Sequence, residues 1–366
     1  MRTYLIEGVA KNSNNFVSTL YAGNEISAYQ FASSIYSRIM KISPIGELLF
    51  RHIHQYVPKE FPGIVVVQVE RPFATRFLQQ GYLLLPNVTF VLDLRTSLNE
   101  MIRNMSRRRK DIRKLESYDY SCLICADSDE EFDHFYWKMY VPYAEKRFGK
   151  AAYIKTYLES RALYTSKGGI VFVKKQKKPV AGILFRVVGK TVFALFYGAR
   201  GGDIRFGNDL SGQAALLHLI KWGKMKGLES LDFGTCGPFL RDGLFIYKKE
   251  WGMNIEEQVR QPVCALHLSH LSESSQLFLA QNPFIIIDNG VMKGLIFIDH
   301  SPTETELERI RSRHLIPKLH SLVVVSCPRR SQMRIAKTPA GQDPSSALSS
   351  VLRNLGLNVE VFELAR

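Results

Sequence analysis

No stretch of this sequence approaches the roughly 18 consecutive apolar residues that a membrane-crossing helix needs, which argues against an integral helical membrane protein. The opening residues, Met1 to Glu7, lack a basic segment followed by an apolar one, so no secretory leader is expected there. Cysteine is scarce and odd in number, five in 366 residues, which points to reduced thiols and a cytoplasmic setting. There is no G-x-x-x-x-G-K-[ST] and no G-x-G-x-x-G, so neither of the common nucleotide-phosphate fingerprints applies. Metal-ligand spacing is equally thin. Cys122-x-x-Cys125 has no second pair to complete a zinc site, and His52-x-His54 and His267-x-x-His270 lack a third ligand nearby, so no metal is expected. Asp232-Phe-Gly234 spells the metal-binding triplet of protein kinases, but the accompanying catalytic and glycine-rich loops are missing. Cys236 has no histidine close in sequence and reads as a buried structural thiol.

Acidic residues are also in deficit, 34 against 49 Lys plus Arg, leaving a formal net charge of +15. Such an excess favours anionic partners: nucleic acid, coenzyme A, nucleotide-linked substrates or the surface of an anionic membrane. Seven of the positive charges fall between Arg103 and Lys114, with Leu98, Met101, Ile102, Met105, Ile112 and Leu115 near helical spacing. The pattern predicts one amphipathic helix whose basic face, including Arg107 and Arg108, is either simply solvated or binds an anion. With 46% hydrophobic and 23% charged residues, the chain is of ordinary globular composition, and its length fits two or three domains.

The N-terminal 60 residues read as mixed, with helical patterns over Ala28–Met40 and Gly46–His54. Ile64–Glu70 and Val88–Leu94 are strong strand patterns, Glu130–Phe148 and Lys155–Ser166 helical ones. Gly169–Lys174, Lys178–Val188 and Thr191–Gly198 follow as three strands joined by short turns, which predicts an antiparallel meander. A polar, glycine-bearing loop, 200–212, leads into a helix from Gln213 to Lys226 and then a strand beginning at Leu231. A strand, a loop and a helix N-terminus in that order offer free N–H groups to a pyrophosphate or another anion, with Arg200, Arg205 and the backbone of Gly207, Asn208 and Ser211 placed to receive it. A flexible surface turn fits the same residues. Beyond 260, Val263–Leu268, Phe284–Ile287, Gly294–Asp299, Leu322–Ser326 and Val359–Phe362 read as strands and Thr303–Arg313 as a helix.

From about Ile64 to Gly252 the chain resembles the FemAB-like branch of the GNAT acyltransferase superfamily, which includes peptidoglycan-bridge aminoacyltransferases and exopolysaccharide-type acetyltransferases. Five stretches carry the resemblance: the strand ending in Asp93-Leu94 with its Arg/Lys-rich successor, Pro179-Val-Ala-Gly182-Ile-Leu-Phe, Phe196-Tyr-Gly-Ala199, the helix to Gly227 leading into Leu231-Asp-Phe-Gly234, and Tyr247-Lys-Lys-Glu-Trp-Gly252. The family has Phe-Lys where this chain has Tyr247-Lys248, and the long helical arm of some tRNA-using members is absent.

The resemblance implies an α+β fold with two GNAT-like lobes, residues 1–95 and 96–262, each a central, mostly antiparallel sheet flanked by helices. It does not reach the C-terminal α/β extension, 263–366. It implies an N-acyltransferase with no permanently bound cofactor, using acyl-CoA (acetyl-CoA) or aminoacyl-tRNA as co-substrate and a cell-wall precursor, sugar or small amine as acceptor. Such work is mostly positioning and oxyanion stabilisation, so no conspicuous triad is expected. Lys248 would stabilise developing negative charge or hold a phosphate, Asp232 would orient it or help deprotonate the amine, and Tyr247 would gate or hydrogen-bond the acceptor. Tyr197, Arg241, Arg107 and Arg108 are the expected substrate-binding residues. The same charge pattern also fits a non-catalytic basic module for RNA or a phosphorylated, nucleotide-linked ligand.

Overall fold

The computed structural model describes residues 1–12, 14–47, 63–79, 81–105, 107–203, 209–257, 263–268, 273–326 and 360–365. The fold is α+β, with two mixed sheets of ten and seven strands flanked by helices. Two compact units contain them. One comprises 1–88, 236–246 and 255–366, the other 89–235 and 247–254.

The first unit is built on the ten-stranded sheet. Arg2–Ala10 lies between Phe16–Gly23 and Tyr36–Glu47, antiparallel to both. Ile64–Val69 then runs parallel to Phe16–Gly23 and antiparallel to Val263–Leu268. Its run of Val65, Val66 and Val67 is buried on both faces, as the unbroken apolar pattern requires. Residues beyond 263 are not a separate extension: Val263–Leu268, Phe284–Asp288, Val291–Ile298, Ser321–Ser326 and Glu360–Ala365 complete this same sheet. The boundaries at 95 and 262 missed this because strand pairing at long range leaves no local signature. A second correction concerns Ala28–Met40. The helix is Glu25–Ile35, capped by the Asn24 side chain on the Ser27 N–H, and the chain turns extended at Tyr36. Tyr36–Glu47, Gly46 included, is a strand, because pairing with Arg2–Ala10 outweighs helical spacing. The rest of the Gly46–His54 pattern lies outside the described residues.

The second unit carries the expected meander. Gly168–Lys175, Lys178–Val188 and Thr191–Ala199 pair antiparallel in succession. Gln176 and Lys177, both left-handed (φ 49° and 62°), form the two-residue turn whose twist suits a hairpin. Tyr120–Cys125 adds at the Gly168–Lys175 edge. Cys122 and Cys125 are three residues apart on that strand, so they point to opposite faces and do not form a ligand pair. Asp129–Phe135, a π-helical turn Tyr136–Tyr140 and Val141–Phe148 form one continuous helical run rather than a uniform helix. The run rests on a cross-strand pair of glycines, Gly182 and Gly198. A Cβ on Gly198 would stand 2.7 Å from the Tyr140 nitrogen, and one on Gly182 would stand 3.2 Å from the Phe135 ring. Both glycines belong to the stretches that carry the family resemblance, and close approach of the helical run explains them.

Candidate active site

Thr191–Ala199 and Ser230–Cys236 are parallel neighbours, joined through the helix Ser211–Met225. Their ladder holds three residue pairs, Thr191 with Ser230, Val192 with Leu231 and Phe193 with Asp232, and then stops. A register shift in the first strand lies just beyond, between Ala194 and Phe196. Past that point the two strands run on without a shared ladder, to Ala199 on one side and Cys236 on the other. The sheet therefore opens at the carboxyl ends of two parallel strands, where open α/β sheets place their ligands. Backbone N–H and C=O groups along such an opening can pair with an extended, amide-bearing ligand as a further strand would.

Tyr197 stands on the opened part of the first strand. Its ring packs edge-on against Tyr143 with centroids 4.9 Å apart, and its hydroxyl lies 3.4 Å from Ser211 Oγ. Burial raises its pKa, so the phenol stays protonated at neutral pH and can donate. Gly212, in the first turn of the following helix, leaves room for this ring: a Cβ there would lie 3.3 Å from it. The helix begins after Leu210, a non-glycine residue in the left-handed region (φ 65°). Backbone held in this unfavourable region is found where surroundings impose it, often at functional sites. The Asp209 carboxylate accepts from the Ser211 N–H at 3.1 Å, and the Asp209 carbonyl accepts from Tyr120 Oη at 2.8 Å. Ser211 is buried. The pyrophosphate-binding residues expected at Arg205, Gly207 and Asn208 lie outside the described residues. Arg200 sits in the short 3-10 turn Arg200–Gly202 that ends the first strand.

On the other side of the opening, Asp232 is buried and its Oδ1 accepts from the Gly234 N–H at 2.7 Å, bracing the turn at left-handed Gly234 (φ 71°). Lys248 is buried too. Its Nζ donates to the carbonyls of Gly234 and Thr235 at 2.8 and 2.9 Å, and lies over the rings of Phe90 and Phe233. These bonds tie the lysine to the end of the strand. Tyr247 stands one residue earlier with Arg108 stacked over its ring at 4.9 Å, and burial pushes its hydroxyl up to about 12. Electrostatic coupling links Tyr143, Tyr197 and Tyr247, so three phenols share one neighbourhood.

The basic segment is two helices, Leu98–Asn104 and Arg108–Leu115, rather than one. Met105 is extended and buried, which breaks the run and tucks its side chain inside. Of the seven basic residues, six are exposed. Arg108 turns inward, donating to Asp111 Oδ2 at 2.7 Å and to the buried Glu250 Oε2 at 2.5 Å. Exposed Arg107 lies 3.7 Å from the other oxygen of Glu250. Arg241 belongs to the first unit, where its Nη1 donates to the Gln281 carbonyl at 2.7 Å. Tyr143, Asp209 and Glu250 were not anticipated. Glu250 lies within residues 247–252, but its partner Arg108 is 142 positions away, and nothing local marks Tyr143.

No protein-family model matches the sequence, and no curated protein matches it. Among solved structures the chain is similar to FemX, at 13% identity and a TM-score of 0.40, covering 76% of this chain and 86% of that one. It is similar to L-PGS from Bacillus licheniformis, at 13% identity and a TM-score of 0.36, covering 76% and 84%. A GCN5-related N-acetyltransferase from Kribbella flavida is similar over 56% of this chain and 66% of its own, at 11% identity and a TM-score of 0.27.

Proposed function

We propose that this protein is an N-acyltransferase that carries an acyl group from a thioester, or from an aminoacyl-tRNA ester, to an amine. The observation that supports this best is the opening between Thr191–Ala199 and Ser230–Cys236 after three residue pairs. An acyl-CoA arm is extended and carries amides, which suits two backbone edges of this kind, while the N-terminus of Ser211–Met225 favours its phosphates. In the reaction the amine nitrogen bonds to the acyl carbon, the carbon–sulfur (or ester carbon–oxygen) bond breaks, and the proton that the amine loses ends on the leaving sulfur or oxygen. Tyr197, held protonated by burial, donates to the developing oxyanion or to the leaving group. Tyr247 and Tyr143 complete the lining. Lys248 and Asp232 act as positioning residues, fixing the carbonyls and turn at Gly234 beside the opening. The acceptor, a cell-wall precursor, sugar or small amine, approaches from the side of the tyrosines.

Thermal unfolding with acetyl-CoA, free CoA and bulk aminoacyl-tRNA is the first test. A donor at 100 times its Kd adds about 2.7 kcal/mol to stability. Stabilisation by acetyl-CoA fixes the donor as a thioester, and stabilisation by the charged tRNA alone fixes it as an ester. A protein unmoved by all three does not bind these donors, and the reading fails. Once a donor and an acceptor amine are in hand, Tyr197→Phe should lower kcat about 10²-fold, the usual cost of losing one preorganised donor, and leave the melting temperature near that of the parent. The six exposed arginines and lysines of residues 103–114 favour a second reading, a basic module for RNA. Steeply salt-dependent binding of uncharged RNA without any acyl transfer would select it.

A further inference from the structure

A second concentration of basic charge lies in the seven-stranded unit, on the stretch that also carries Tyr143. Positions 137–158 carry five basic residues and one acidic, Glu145, and two further carboxylates meet the stretch at its ends, Asp133 accepting from Tyr157 Oη at 2.6 Å and Glu159 lying 3.8 Å from Lys155 Nζ. Lys138, Lys146, Arg147 and Lys150 are exposed. Four large apolar side chains on the same stretch also stand in solvent: Trp137 at 53% exposure, Phe148 at 52%, Tyr153 at 58% and Leu158 at 76%. Singly, exposed apolar residues need no explanation. Four on one short stretch, set among lysines and arginines, do.

Trp137 and Phe148 share one side of the helical run, and Tyr153 and Leu158 stand on the segment that follows it. Phe148 follows Trp137 by eleven residues along the continuous helical run, close to three turns, and so returns to the same side. The chain then turns at Gly149 (φ 52°) and folds back along that run, where the carbonyl of Lys155 accepts from Tyr136 Oη at 2.8 Å. This return brings Tyr157 onto Trp137, rings stacked 5.8 Å apart and 13° from parallel, with Leu158 next in sequence. Lys155 Nζ lies 5.5 Å from the Tyr153 ring.

We propose that this patch seats the protein on an anionic lipid bilayer, with Trp137, Phe148, Tyr153 and Leu158 entering the headgroup boundary and the surrounding cations meeting lipid phosphates. Aromatic and aliphatic side chains rimmed by lysine and arginine are what such an interface takes up. A nucleic acid would need open ring faces for base stacking. Here Tyr157 covers one face of Trp137, Arg147 lies 5.7 Å from the centre of the Phe148 ring, Lys155 covers Tyr153, and Leu158, the most exposed of the four, has no ring. The inference is independent of acyl transfer.

Co-sedimentation of the full chain with vesicles tests it. Binding to phosphatidylcholine vesicles containing about 30% phosphatidylglycerol should be at least about tenfold tighter than to phosphatidylcholine alone. Brominated acyl chains should quench Trp137, the most exposed of the three tryptophans; Trp251 is buried and Trp222 half-buried. Phe148→Asp with Leu158→Asp should weaken vesicle binding about tenfold or more, and Lys138→Glu with Lys150→Glu should do the same, with melting temperatures unchanged because these side chains are exposed. Equal binding to both vesicle types, no quenching, or full binding by the aspartate pair would overturn the proposal. So would capture of bulk RNA in place of vesicles, lost in the same variants, which would assign the patch to nucleic acid.

Discussion

Replacing Lys248 with methionine should lower the free energy of unfolding by about 2–5 kcal/mol, read as a drop in the urea midpoint at unchanged slope. The Lys248 ammonium lies over the rings of Phe90 and Phe233, and methionine puts an uncharged, apolar side chain of similar length in its place. What it removes is the donor. The carbonyls of Gly234 and Thr235 both accept from Nζ, and a buried acceptor left without its donor costs about 1–3 kcal/mol. The same variant separates two roles for this residue. A lysine that stabilises charge in the transition state would lose turnover and keep its stability. A lysine that fastens the end of Ser230–Cys236 would lose stability first, and whatever turnover fell would fall through a loosened strand. A loss below about 1 kcal/mol would mean that water reaches the two carbonyls and that the lysine is not a fastener.

How much of this was readable in the sequence depends on the range of the interaction. The meander was legible because its strands alternate and its turns are short, so every signal is local. The motif glycines Gly182 and Gly198 were visible as a pattern, but their reason, the close approach of the Tyr136–Tyr140 turn, exists only once the helical run is laid on the sheet. Residues 36–40 read as helix in the sequence because isoleucines and methionine spaced over Ile35–Met40 suit a helix as well as a strand, and only the partner strand Arg2–Ala10 decides. The segment after Val263 gives strand patterns of its own, yet no local feature says that they join a sheet begun at Arg2. Tyr197, Ser211, Asp232, Tyr247 and Lys248 are candidates that the sequence itself offers, while the role proposed for the lysine changes once its carbonyl partners are seen. Tyr143 had no signal, being one aromatic among many in a helical run.

The largest departure lies in the basic segment, and a double-mutant cycle tests what replaced it. Counting charges between Arg103 and Lys114 treats every arginine as part of one solvent-facing surface, but Arg108 points inward and joins Asp111, Glu250 and the Tyr247 ring. Glu250 is the more buried partner, and removing its cation leaves a carboxylate out of water. Arg108→Met is therefore expected to cost about 3 kcal/mol, the low end for breaking a buried pair, because Arg107 remains 3.7 Å from the same carboxylate. Glu250→Gln should cost less, about 1–2 kcal/mol, since Arg108 keeps Asp111 and the amide oxygen still accepts. Arg108→Met with Glu250→Met should cost clearly less than the sum of its singles, the mark of a shared contact. Arg109→Ala and Arg113→Ala, on the exposed face, should change stability by no more than about 0.5 kcal/mol. Purely additive losses in the cycle would show that Arg108 and Glu250 act separately, and the segment would again be a single solvated face. A strong coupling instead makes Arg108 the residue that ties the helix Arg108–Leu115 to the stretch carrying Tyr247 and Lys248, so that this helix takes part in shaping the opening between the two strands. Arg103, Arg109, Lys110, Arg113 and Lys114, all exposed, would then be the cations left to meet an anion.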